Sequence, residues 1–196
     1  MIKSHFHYKK LISVIIIVLL AGFCNGGCQA QEKPENEENN FHPHSEIALV
    51  ISHAEVFQGR NEAGDKQVLS LPSWGINYNY WFRPKWAIGL HTDLIVEKYE
   101  VKKTSSDGTS ETIERSYPIA PALMGIFKPT KHWAFELGMG AEFSSEENFM
   151  LTRAGIEYSA EFPKEWEAFG TLSYDFKWNA YDTWVIGIGI SKRFGK

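Results

Sequence analysis

Asp93, Glu97, Glu136, Glu142, Arg153, Glu157, Asp175, Lys177 and Arg193 lie in segments of alternating character, on the side carrying Gly, Ala, Ser and Thr. Large apolar residues occupy the other side. Successive strand side chains point to opposite faces. If the small and charged face turns inward, its charges must be paired or neutralised. The expected chemistry is a plug of ion pairs and hydrogen bonds. Six acids face three bases in this set, so some carboxylates are expected to be protonated or hydrated near a rim. The competing reading of the same residues is a narrow ion path.

Catalytic arrangements are sparse. His91 and Asp93 share a strand face, but no Ser can be placed beside them. Ser52 and His53 are strand neighbours and point apart. His42 and His44 lie in a polar stretch and read as solvated side chains. The chain has no metal-ligand spacing and no phosphate-binding Gly loop, and Gly187-Ile188-Gly189 is strand alternation, not a nucleotide fingerprint. The expectation is therefore no enzyme, no cofactor and no metal.

These residues must be positioned by strands. From Glu46 onward no helical period is visible. Eight strand-like runs cover residues 46–57, 66–82, 85–103, 111–128, 132–143, 149–162, 165–178 and 181–194. Connections alternate between minimal turns with Pro (Arg83-Pro84, Pro129-Thr130-Lys131, Pro163-Lys164) and longer polar ones (58–65, 104–110, 144–148), with a short bend at Asn179-Ala180. Phe82, Trp86, Phe127, Trp133, Phe162 and Trp166 flank the three tight turns, and Phe194 falls at the same level. Such rings mark a membrane–water boundary. Tyr99, Tyr117, Phe143, Phe149, Trp178 and Trp184 could supply a second ring. Pro72, Pro118 and Pro121 each remove a ladder donor, so bulges or positions beyond the hydrocarbon are expected there.

A cylinder of eight strands has room only for side chains. Trp133, Phe135, Leu137, Met139, Ala141 and Phe143 would overfill it, whereas Ala134, Glu136, Gly138, Gly140 and Glu142 would not. The final run behaves alike, with Trp184, Ile186, Ile188 and Ile190 opposite Thr183, Gly187, Gly189, Ser191 and Arg193. The greasy face is therefore expected outside, against lipid, and the closed sheet leaves no unpaired edge. In the first run, Ile47, Leu49 and Ile51 oppose Ala48, Val50 and Ser52 only weakly.

Residues 1–30 read as a signal peptide. Lys3, Lys9 and Lys10 precede an apolar stretch too short to span a bilayer, and cleavage is expected after Ala30. Acylation at Cys28 is the alternative. Residues 31–45 read as a flexible linker and 46–196 as the barrel domain. Removing the three leader lysines from 20 basic residues leaves 17 against 24 acids, a net of about −7, which argues against nucleic acid as a partner.

Together the strand count, turn alternation, aromatic rims and Phe194 resemble the small eight-stranded outer-membrane β-barrels, the group that includes OmpX and the OmpA transmembrane domain. Gly189 and Phe194 fit the closing-strand signal of that group, while Lys192 stands where a hydrophobe is usual. The resemblance implies an antiparallel up-and-down transmembrane barrel in the outer membrane of a Gram-negative bacterium, monomeric and held in lipid. It also implies insertion by the barrel-assembly machinery through the last strand. Lipid A acyltransferases and deacylases exist on this fold, but their His-x-Ser pattern is absent here. The role expected is structural or interactive at the envelope. The alternatives are a narrow channel and a soluble or lipid-anchored lipocalin-like barrel. The region 97–116 is expected to stand above the membrane as a two-stranded flap that a surface partner could engage.

Overall fold

Side-chain alternation governs which surface each strand presents, and the strands it produces are long. The computed structural model describes residues 41–60, 66–104 and 110–195. The expected leader and most of the linker lie outside these residues, as does the expected hairpin tip at 105–108.

Among the described residues the strands are β1 (His44–Arg60), β2 (Lys66–Arg83), β3 (Trp86–Ile95), β4 (Lys98–Thr104), β5 (Ser110–Ser116), β6 (Ile119–Phe127), β7 (Trp133–Glu142), β8 (Phe149–Phe162), β9 (Trp166–Lys177) and β10 (Asp182–Phe194). Eight of them, all but β4 and β5, follow one another around a closed antiparallel barrel. The seam joins β1 to β10, from Ser45 opposite Phe194 to Val56 opposite Thr183. The shortest wall strands, β6, β3 and β7, have 9, 10 and 10 residues, the length a tilted strand needs to cross hydrocarbon. The first strand begins at His44, inside the stretch expected to be linker. There the His44 ring lies between Phe41 and Trp81, at 5.6 and 6.3 Å between ring centres.

The aliphatic stripes face outward. Leu137 and Ile188 are 64% and 71% exposed, whereas Glu136 and Asp175 are 8% and 3% exposed. Ile47, Leu49 and Ile51 are exposed and Ala48, Val50 and Ser52 buried, so the weakly patterned first strand follows the same rule. So continuous an apolar surface has no place in water and matches a bilayer. Inward residues are small where strands approach closely. A Cβ on Gly189 would strike the Phe169 ring and stand 2.8 Å from Leu49 O, and one on Gly140 would meet Pro121 O and lie 2.8 Å from Ala122 Cβ. The inner face of β6 is apolar: Ala120, Ala122, Met124 and Ile126.

The runs expected over 85–103 and 111–128 are each broken. The first parts at Val96-Glu97, the second at Tyr117-Pro118. Pro118 cannot donate to a ladder, and Tyr117 takes the left-handed conformation, φ 47°. Backbone bonds from Ile95 N to Pro118 O (3.1 Å) and from Tyr117 N to Glu97 O (3.4 Å) tie the two breaks together. Beyond them β4 and β5 form a hairpin that leaves the wall and meets the far end of β1, with Val101 opposite Gly59. Pro72 lies just past the end of the β2–β3 ladder, at Ser73–Ile95. Pro121 interrupts the β6–β7 ladder between Ala122–Gly140 and the isolated bridge Ile119–Phe143, with no shift of register.

Candidate functional site: the lumen and its covered mouth

Inward-facing polar side chains form a column of successive paired clusters along the barrel. Nearest the tight turns, Lys128 meets Glu167 at 2.6 Å. Asn79 Nδ2 donates to Glu46 at 3.1 Å, and Asn79 Oδ1 lies 2.8 Å from His91 Nε2, which places the ring proton on that nitrogen. The other ring nitrogen faces Glu136 at 3.7 Å. At mid-height Arg153 binds Asp175 through two parallel hydrogen bonds of 2.6 and 2.8 Å and Asp93 at 2.6 Å. Arg153 is only 2% exposed; its planar fork suits such a two-carboxylate site. Above it Lys177 Nζ lies 3.3 Å from Glu142 and donates to Thr183 at 2.6 Å.

The broken strands put a lid on this column. Tyr99, Val101, Ile113 and Arg115 of the hairpin are buried, and Lys98, Glu100, Glu111 and Glu114 are exposed. The apolar members pack with Val56, Leu71, Phe149, Tyr181 and Val185. Arg115, 0% exposed, binds Glu142 at 2.5 Å and rests 4.7 Å over the Phe149 ring. Tyr181 donates to the same Glu142 oxygen, and the Tyr99 and Tyr181 hydroxyls are 2.9 Å apart. Burial, then the charge of Glu142, holds both phenols above their ordinary pKa. Burial opposes the Arg115 charge, but Tyr181 and Glu142 outweigh it and its pKa is raised.

The 97–116 region is thus a cover seated in the mouth, where a freestanding flap was expected. The outer edge of β5 is partly covered by the 144–146 segment. Its Glu114 and Ser116 amides donate to the Glu146 carboxylate (2.7 Å) and the Ser144 hydroxyl (3.0 Å).

Of the residues singled out for the lumen, Asp93, Glu136, Glu142, Arg153, Asp175 and Lys177 meet in this column. Glu157 lines a small cavity with Asn77, His91, Asp93, Glu136 and Arg153, offering about 20 Å³ to water centres, space for one or two waters. Glu97 is exposed at the β3–β4 break, because alternation along that run ends there. Arg193 sits at the rim, 2.9 Å from Glu161. Arg115, Tyr181, Lys128, Glu46 and Glu167 were not singled out. The alternation of Glu167 with Phe169 and Ser173 could have found one of them; the inward turn of Arg115 depends on the hairpin fold and has no local signal.

Phe82, Trp86, Trp133, Phe162, Trp166 and Phe194 are exposed, and Phe127 is half-buried with its ring 4.5 Å from that of Trp86. Of the second ring, Tyr117, Phe143, Trp178 and Trp184 are exposed, but Tyr99, on the buried face of the hairpin, and Phe149, packed against it, are buried.

No family model matches the sequence, and no curated protein matches it. Solved structures do. Ail, the attachment invasion locus protein of Yersinia pestis, in complex with the heparin analogue sucrose octasulfate, superposes with a TM-score of 0.51 at 14% identity, covering 79% of this chain and 100% of that one. A second Ail structure gives 0.51 at 11% identity, over 79% and 100%. Neisserial surface protein A gives 0.48 at 12% identity, over 79% and 100%. The fold is that of the small outer-membrane β-barrels. The inverted surface, greasy outside and charged within, agrees with that assignment on physical grounds.

Proposed function

We propose that this chain is a Gram-negative outer-membrane barrel with a structural or interactive role at the envelope, closed to solutes and not catalytic. The observation that carries the reading is the succession of paired-charge clusters at several heights of the lumen, from Lys128–Glu167 through Arg153–Asp93–Asp175 to Arg115–Glu142 under the hairpin. Each carboxylate–cation pair sits where a permeating ion would have to displace it, and removing a partner from a buried pair is costly. His91 is engaged by Asn79 and Glu136, with no serine in that set, which supports a non-catalytic reading. Insertion through the last strand by the assembly machinery fits an exposed Phe194 beside Ser45.

A partner, if engaged at the surface, would meet the outer face of the hairpin. Ail is described with a polysulfated analogue, but here Lys98 is 3.9 Å from Glu114 and Lys103 2.5 Å from Glu147. Paired lysines among exposed glutamates do not favour a polyanion. The test is planar-bilayer recording with the full chain. A quiet membrane is expected for the wild type and for a variant lacking residues 100–113, which keeps the lumen pairs, and stepwise currents for D93A/R153A/D175A, which empties the lumen at mid-height. Discrete wild-type conductance would overturn the closed-lumen reading in favour of the channel.

A further inference from the structure

The tight turns share a pattern that the lumen does not explain. Phe82-Arg83-Pro84-Lys85-Trp86, Phe127-Lys128-Pro129-Thr130-Lys131-His132-Trp133 and Phe162-Pro163-Lys164-Glu165-Trp166 each begin on Phe, end on Trp, and hold Pro and basic residues between. The last strand adds Lys192 and Arg193 at the same rim, opposite Glu165 and Glu161. Arg83, Lys85, Lys131 and Lys164 are exposed. Glu161 and Glu165 are the exposed acids beside these four cations, whereas at the other end acids predominate: Glu97, Glu100, Glu111, Glu114 and Glu146 are exposed there with Lys98.

We propose that the tight-turn rim is a binding surface for anionic phospholipid headgroups, its cations contacting lipid phosphates. This rests on the membrane reading above. The aromatic rings set the depth, since they occupy the boundary between hydrocarbon and headgroups. Arg83 and Lys85 stand one position beyond a ring, and Lys131 and Lys164 two. At about 3.3 Å per residue, that places these four charges roughly 3–7 Å further out, matching a headgroup layer of about 5–8 Å. Cations in that layer attract anionic lipid. In a chain whose acids outnumber its bases, 24 to 20, this concentration of positive charge at one end does not follow from composition.

The full chain would be reconstituted in phosphatidylcholine vesicles containing brominated phosphatidylglycerol or brominated phosphatidylcholine, and tryptophan quenching compared. The expected result is a preference of about three- to tenfold for the anionic lipid, abolished in 1 M NaCl and in the variant R83Q/K85Q/K131Q/K164Q. Equal quenching by both lipids overturns the proposal, as does a preference that survives both salt and substitution. If the variant does not insert, the salt arm on the wild type alone decides. Absence of quenching by either lipid would instead overturn the membrane reading, and the proposal with it.

Discussion

Arg153 is the residue on which mid-lumen charge balance turns. It neutralises Asp93 and Asp175 together, so Arg153→Ala leaves two facing carboxylates in a confined space. We expect a loss of about 3–5 kcal/mol, read as a lower temperature for conversion of the compact gel band. Adding Asp93→Asn and Asp175→Asn should restore most of it; an Arg153→Ala barrel as heat-resistant as the wild type would contradict the pairing. Sterics dominate at Gly189. A side chain there meets the Phe169 ring and the Leu49 carbonyl, so Gly189→Val should prevent a compact band from forming, and adding Phe169→Ala should recover it only in part, because the backbone carbonyl remains. The charges at Glu136, Arg153 and Asp175 were legible because strict alternation flanks them. Arg115 was not, because its neighbours Glu114 and Ser116 offer no contrast of polarity, and the switch of facing that puts it inside comes only at the backbone break downstream, Tyr117-Pro118.

At the level of elements, the hairpin is the part that departs from a plain cylinder. Its hold rests on Arg115, Glu142, Tyr99 and Tyr181. Because the two phenols are raised above their ordinary pKa in the seated hairpin, an opened hairpin would ionise first, near pH 10. Seating is thus unaffected below about pH 10 and weakens as pH rises beyond it. Absorbance at 295 nm should show a late-titrating fraction that includes Tyr99 and Tyr181; Arg115→Ala should shrink that fraction by moving these two into the main transition, while leaving the barrel's compact band intact. A single uniform titration in the wild type would argue against a seated hairpin. Pro118 was read as a donor lost from one long strand. The break it makes was not foreseen, since the cost of a missing hydrogen bond says nothing about whether a chain bulges or turns away.

On the scale of the whole molecule, the inside-out surface predicts behaviour in detergent. The protein should fractionate with outer membranes and migrate faster in gels when not boiled; a soluble protein with heat-independent migration would favour a lipocalin-like barrel. The strand count and facing were legible because a cylinder this narrow admits only one way of sorting large and small residues. The seam has a further consequence. Ser45 and Phe194 are partners 149 positions apart, while the other wall pairings join strands that follow one another in the chain or are separated only by the hairpin. Until the final strand emerges, two open edges are available to other chains. Maturation must therefore be post-translational, with the nascent chain kept apart from its copies until its tail arrives to complete the ring.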